Sequence, residues 1–460
     1  MSDTGLRQAQ DKMAAAGVAP TAIDVFTHYY RELEAGATGL IPEDTIDPLL
    51  DPPRLADVDI DDEAAREAFA KTAVIKLNGG LGTSMGMDKA KSLLQVRDGK
   101  SFLDLIVEQV QHARAQTGAR LPLILMNSFR TQDDSLAALA RHDGLAVDGL
   151  PLDFLQNQEP KLLTSDLTPV SWPADPTLEW CPPGHGDLYT ALLASGVLRQ
   201  LLDAGFRYAS VSNSDNLGAA PNPTIAGWFA ASGAPYAAEL CRRTAADRKG
   251  GHLAVRKSDG RLILRDTAQT PPDEMDYFTD EHRHPYFHTN NLWFDLEQIA
   301  AALEERGAVL GLPLIRNVKT VDPTDASSPE VFQIESAMGA AIEVFEGATA
   351  IVVGRERFLP VKTTNDLLLI RSDAYDLADD STLRLAVEQA PLVDLDTKVY
   401  KTVASFEQRF AAGAPSLRDA RSLTVQGDWT FGEGVVATGA ATVTAEGAPG
   451  TIPAGTTIAG

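Results

Sequence analysis

Apolar side chains recur at helical spacing from residue 3 to about 36, at Leu6, Met13 and Val18 and then at Ile23, Phe26, Tyr29, Tyr30 and Leu33, with a break near Pro20. That pattern predicts an N-terminal helical arm, and the Pro- and Asp-rich stretch 42–63 follows it as a connector. From residue 73 the period changes. Short apolar runs now alternate with amphipathic stretches: AVIKL before a helix around 101–117, LPLILMN at 121–127 before a helix near 131–142, and YASVS at 208–212 before a helix near 222–232. This alternation predicts βαβ units, an α/β fold with a mixed, mostly parallel sheet, and ligands gathered at the carboxyl ends of its strands. Strand-like runs between about 235 and 295 predict an antiparallel addition. From about 415 the helical signal fades into short Val-, Thr- and Ala-rich runs separated by glycines, which predict a small β-solenoid rather than a disordered Gly/Ala tail.

Composition narrows the function. The 460 residues are 44% hydrophobic and 23% charged, ordinary for a globular chain of two or three domains. A formal charge of −24 argues against nonspecific binding to nucleic acid or an anionic membrane, so a phosphorylated ligand needs a local basic pocket. The first twenty residues lack the regions of a signal peptide and no apolar run is long enough to span a bilayer, so the expected location is cytoplasmic. Cys181 and Cys241 have no zinc-like spacing and are expected to be reduced thiols.

The candidate chemistry begins where the first strand ends, in AVIKLNGGLGTSMGMDKAKS at 73–92. Glycines at 79, 80, 82 and 86 let a backbone take positive φ and bring its N–H groups close to an anion, and Lys89 and Lys91 add charge. The spacing excludes a Walker A loop and a dinucleotide fingerprint; an ordinary glycine turn stands equally beside the phosphate reading. Five other segments fall at strand ends or in loops. Gln158 offers an amide that can read a base edge, and Gly184 and His185 lie between a Pro-Pro break and a helix start. Asp215, just past a strand, can hold Mg²⁺ against phosphates or merely cap a helix. Asn290 and Asn291 interrupt an aromatic strand, where paired amides can meet sugar hydroxyls. Lys362 precedes a helix start at Thr363 or Thr364, where its charge adds to the helix terminus. No peptidase, serine-hydrolase or protein-kinase motif is present.

The strings KLNGGLGTSMG with Lys91-Ser92, PPGHGDLY, DNLGA, FHTNNLW, ESAMGAAIEVFEGATAIVVGRERFLPVKTTNDLLL and GDWTFG, in this order over most of residues 70–435, closely resemble the eukaryotic-type UTP–glucose-1-phosphate uridylyltransferases, or UDP-glucose pyrophosphorylases. The resemblance implies an N-terminal extension (1–65), a GT-A-like nucleotidyltransferase domain (66–385) and a C-terminal left-handed parallel β-helix (386–460). It implies a reversible, Mg²⁺-dependent reaction in which UTP and glucose 1-phosphate give UDP-glucose and pyrophosphate. Carried over by position, Leu77, Asn78, Gly79 and Gly80 border the uridine, Lys91 neutralises the UTP phosphates and Gln158 reads the uracil. Gly184 and His185 lie beside the base and sugar phosphate, and Asp215 is the metal ligand with Asn213 nearby. Asn290 and Asn291 meet the glucose, Glu335 lies close to it, and Lys362 holds its phosphate.

Two departures touch the site. The family loop reads Gly-Pro-Lys-Ser where this chain has Lys89-Ala90-Lys91-Ser92, so Lys89 can share the role of Lys91, and Ser214 stands where an apolar residue is common. These leave the choice of sugar open. The rival enzymes are a broad UDP-sugar pyrophosphorylase and a UDP-N-acetylhexosamine pyrophosphorylase, whose loop resembles GGxGTRLG rather than GGLGTSMG. A non-catalytic UDP-sugar sensor would not need both Lys91 and Asp215. The solenoid tail either caps itself or pairs with another subunit in a homo-oligomer.

Overall fold

The computed structural model describes residues 2–244, 247, 250–444 and 449–460. Residues 245, 246, 248 and 249 of the expected antiparallel segment, and 445–448 of the expected solenoid, lie outside the described residues.

The core is a seven-stranded sheet built from β1 (Thr72–Asn78), β2 (Leu123–Asn127), β3 (Asp153–Leu155), β4 (Tyr208–Asn213), β5 (Tyr236–Arg242), β6 (Tyr286–Asp295) and β7 (Thr349–Val352), in the order β7-β5-β6-β4-β1-β2-β3. The four strands β4, β1, β2 and β3 run parallel, β7 is parallel to β5, and β6 alone runs antiparallel to both its neighbours. The fold is therefore mixed α/β with a mostly parallel sheet, as the alternation of strand and helix patterns predicts.

Continuous apolar runs form these strands because both sheet faces are covered. Along β1, Val74 joins an apolar cluster with Phe102, Ile106 and Val110, while Ala73 and Ile75 join a second cluster with Tyr189, Leu192 and Leu198. The period of two thus sends alternate residues into separate cores. The first core is faced by the helix Phe102–Thr117, which starts at a reciprocal Ser101–Asp104 capping box and stops at Gly118. The second is covered by the N-terminal arm, the helices Ser2–Ala15 and Pro20–Glu34, whose Phe26, Tyr29, Tyr30 and Leu33 are buried.

The connector is more ordered than its composition suggests. Ile46–Pro48 pairs with the hairpin His252–Arg256 and Leu262–Arg265 in a three-stranded sheet, and the buried Glu43 accepts bonds from Arg265, Arg283 and His284. The C-terminal strands β8 (Leu392–Leu395), β9 (Ser416–Gln426), β10 (Val436–Thr444) and β11 (Thr457–Ala459) pair in parallel, as do Trp429–Phe431 and Gly450–Ile452. Their buried Leu423, Val425, Phe431 and Ala441 belong to the same cluster as Val74.

Candidate active site

At the carboxyl ends of β1 and β4 a cleft of about 270 Å³ is lined by Leu77, Gly79, Gly80, Lys91, Met126, Gln156, Pro182, Gly184, His185, Asn213, Ser214 and Asp215. Sequence-distant loops converge there because the parallel strands all end on one side. Of the loop glycines 79, 80, 82 and 86, only Gly86 takes a positive φ, so the expectation of a left-handed backbone holds for one of four. Gly79 serves by close approach: a Cβ there would lie 2.6 Å from the Gln156 Oε1. Asn78 does not face the cleft. It is buried, its Nδ2 donating to Asn127 Oδ1 (2.7 Å) and Ser135 Oγ (2.8 Å), and its Oδ1 accepting from Ser214 Oγ at 3.0 Å. The polar Ser214 is accommodated by that bond.

The amide in the cleft is Gln156, two residues before Gln158, which instead lines a small cavity beneath the N-terminal helices. Nothing in the string NQEP marks this, because the presentation is decided by bonds to other segments. The Gln156 N–H donates to the Asn127 carbonyl at 2.8 Å, and the next residue is bound by Asp187. Opposite, Gly184 has a φ of +78°, and a Cβ there would lie 2.6 Å from the Ser336 carbonyl oxygen. His185 accepts the Met338 N–H on its Nδ1 at 2.9 Å, which leaves Nε2 to carry the proton. Desolvation within the cleft holds this imidazole down at about 4, although the ring edge is open to the cleft, so it is neutral at ordinary pH.

The other end of the cleft carries charge. Lys91 reaches Asp215 with Nζ 2.7 Å from Oδ2, both half-buried. The loop closes on itself to put the lysine there, by a Leu81–Ala90 bridge and a Lys91 N–H to Gly80 carbonyl bond of 3.2 Å. Lys89 is exposed and does not line the cleft. The Val361 N–H donates to the Asp215 carbonyl at 3.3 Å, so the exposed Lys362 emerges beside the metal-ligand candidate. The helix that follows is Thr364–Arg371, and its Asp366 carboxylate accepts from the Lys362 and Thr363 N–H groups at 2.9 and 2.8 Å. Those helix-end donors are thereby already occupied.

On the expected sugar side, Asn290 and Asn291 part company. Asn290 sits at φ +60°, facing a register shift between Ala238 and Leu240, and its N–H donates to His288 Nδ1 at 3.1 Å. Asn291 is buried and does not line the cleft: its Nδ2 donates to Glu239 Oε2 (3.1 Å) and its Oδ1 accepts from Asn216 Nδ2 (3.0 Å). Arg357 grips the same Glu239 with two bonds of 2.7 and 2.8 Å, and Trp293 donates a third of 2.9 Å. Burial opposes ionisation of Glu239, but these partners keep its carboxyl below the usual range. Glu335 adjoins Gly184, its Cβ 3.0 Å from where a Gly184 Cβ would be, and burial raises its carboxyl.

The sequence model of the UTP–glucose-1-phosphate uridylyltransferase family matches residues 23–437. The potato (Solanum tuberosum) protein named UTP–glucose-1-phosphate uridylyltransferase is 39% identical over 88% of this chain and 84% of its own length, and the Saccharomyces cerevisiae protein of that name 38% identical over 81% and 73%. Among solved structures, a UDP-glucose pyrophosphorylase mutant from Leishmania major in complex with UDP-glucose superposes with a TM-score of 0.92 at 41% identity, covering 99% of this chain and 98% of that one. The Trypanosoma brucei structure gives 0.90 at 40%, with 99% and 98% covered. With that breadth of agreement, and with the glycine loop, the PPGHGD segment and the post-strand Asp215 gathered on one cleft, this chain belongs to the UTP–glucose-1-phosphate uridylyltransferase family.

Proposed function

We propose that this chain transfers the uridylyl group of UTP to glucose 1-phosphate, forming UDP-glucose and releasing pyrophosphate. The observation that carries this reading is a cleft whose one end is neutral and amide-bearing while the other holds the Lys91–Asp215 pair. Leu77, Gly79, Gly80 and Gly184 line the end where the uracil ring would lie, and Gln156, in place of Gln158, offers an amide donor and acceptor to its edge. An oxygen of the sugar phosphate attacks the α-phosphorus in line, and the bond from that phosphorus to the bridging oxygen breaks. No general base is required, because the attacking phosphate is already an anion; positioning and charge neutralisation do the work.

Lys91 lies where it can neutralise the triphosphate, and Lys362 emerges where it can meet the sugar phosphate. Asp215 would hold Mg²⁺, which when bound supplies two further positive charges. A single carboxylate suits that ion, which completes its shell with phosphate oxygens and water, and no group of three metal-ligating side chains occurs among the described residues. We read Asn290 and Glu335 as the sugar-side contacts, the central unit as a GT-A-like nucleotidyltransferase domain between the extension 1–65 and the C-terminal region, and the stacked parallel strands of that region as a left-handed β-helix. Initial rates of pyrophosphate release with UTP, TTP, CTP, ATP and GTP, each against a panel of sugar 1-phosphates, test the proposal. UTP with glucose 1-phosphate should dominate, and comparable rates with ATP would overturn it.

A further inference from the structure

The Gln156 and His185 loops line the base end of the cleft, a third loop packs against them, and one carboxylate ties the first two together. Asp187, buried at 5% exposure, accepts the Asn157 backbone N–H on Oδ2 at 2.6 Å and the Asn157 Nδ2 on Oδ1 at 2.8 Å. Asn157 immediately follows Gln156, the amide in the cleft, and Asp187 stands two residues after His185. The His185 segment is in turn bound to the third loop, through the Gly186 N–H to Ser336 carbonyl bond of 2.8 Å and the Met338 N–H to His185 Nδ1 bond of 2.9 Å. Gln156 is therefore held from one side by Asn127 and from the other by Asp187, and a shift of either anchor moves the amide.

The hydrogen bonding at that point singles out Asp187 as the acceptor. Glu159, 2% exposed, faces Asp187 and Glu335, and its Oε1 has no hydrogen-bond partner. Burial raises Glu159 well above the usual carboxyl range, and it raises Asp187 to about 7 even with the lowering effect of Asn157's two donors. Both donors are aimed at Asp187 and none at Glu159 Oε1, so of the two carboxyls Asp187 is the better placed to carry a charge and Glu159 a proton. The cavity between this cluster and the helix Pro20–Glu34 has a volume of about 20 Å³, room for about one water.

We propose that Asp187 is a positioning residue for the nucleotide: its two bonds to Asn157 fix the angle at which Gln156 meets the base and lock that segment to the His185 segment. The assignment rests on the functional reading above. It places the effect on one substrate, since neither bond touches the Lys91–Asp215 end.

The test is steady-state kinetics of the full chain, varying UTP and glucose 1-phosphate separately, for the unsubstituted protein, Asp187→Asn and Asn157→Ala. In Asp187→Asn one acceptor becomes a donor facing an Asn157 donor, and the KM for UTP should rise about tenfold or more, the range of a lost bond to a charged group. The KM for glucose 1-phosphate and kcat should move less than twofold, and the preference for UTP over CTP should narrow. Adding Gln156→Ala to Asp187→Asn should cost less than it costs alone, because both act through one contact. If Asp187→Asn fails to fold, Asn157→Ala decides by the same comparison, since it deletes one bond at a half-exposed site. An unmoved KM for UTP, or equal rises for both substrates, would overturn the positioning role. No UTP-dependent pyrophosphate release by the unsubstituted chain would overturn the functional reading itself.

Discussion

At the end of the cleft proposed for the base the walls are backbone and neutral side chains, Gly79, Gln156, Gly184 and a His185 held uncharged, whereas the end proposed for the phosphates is made of Lys91 and Asp215, with the exposed Lys362 adjoining but outside the lining. The base end is bonded loop to loop with little slack. The phosphate end rests on one ion pair and one exposed lysine. The first should therefore be intolerant of added volume on its walls, and the second of lost charge.

Asp215→Asn should break the phosphate end most severely. It keeps the volume and removes the charge, so kcat should fall about 10²- to 10³-fold, the range of a lost electrostatic group, with little change in Tm. Near-normal turnover and an unchanged Mg²⁺ titration would remove Asp215 from the reaction. Acidification comes next, and it acts through stability. His288, bonded to the Asn290 N–H, is depressed by burial from 6.5 to about 4, so the unfolded chain takes up the proton first. The stability this group contributes is complete above pH 6.5 and is lost as pH falls towards 4, by about 3 kcal/mol at most. Denaturant titrations at pH 7 and pH 4.5 should show that slope, shallower in His288→Gln.

Gly184→Ala should be the steric counterpart at the base end. With φ at +78° and a carbonyl oxygen 2.6 Å from the new Cβ, it should cost about 1–3 kcal/mol, read as a lower Tm together with a higher KM for UTP. An unmoved Tm and KM would show that the base end has slack after all. The smallest effect is expected for Lys362→Ala. An exposed side chain contributes little to stability, so Tm should hold while the KM for glucose 1-phosphate rises about tenfold. A rise on the UTP side instead would reassign that lysine.

The elements whose signals are local were legible in the sequence: the helical arm broken near Pro20, the strand before the glycine loop, and the helix starting just after Lys362. Placing Gln156 rather than Gln158 in the cleft was not legible, because the choice depends on Asp187, 30 residues beyond the Asn157 it binds, and on where β3 stops. Asn291 was unreadable for a similar reason. Its amide is committed to Glu239 and Asn216, 52 and 75 residues earlier in the chain, and nothing in FHTNNLW shows that neighbouring amides face different surroundings. The departure at Ser214 had a local cue, a hydroxyl at a strand end, but its partner Asn78 lies 136 residues back.

The position of β6 bears on how the chain is assembled during translation. Because β6 lies between β4 and β5, the parallel strands finished at residue 213 expose a bare edge for about 80 further residues, roughly 4–16 seconds at the pace of synthesis. The first strand offered to that edge is β5, the wrong neighbour. Its centre is Glu239, whose partners Asn291, Trp293 and Arg357 have not yet been made. A ribosome-bound intermediate that mispaired β5 with β4 would bury that carboxylate uncompensated, at several kcal/mol, and the vacancy stays open for the strand that belongs there.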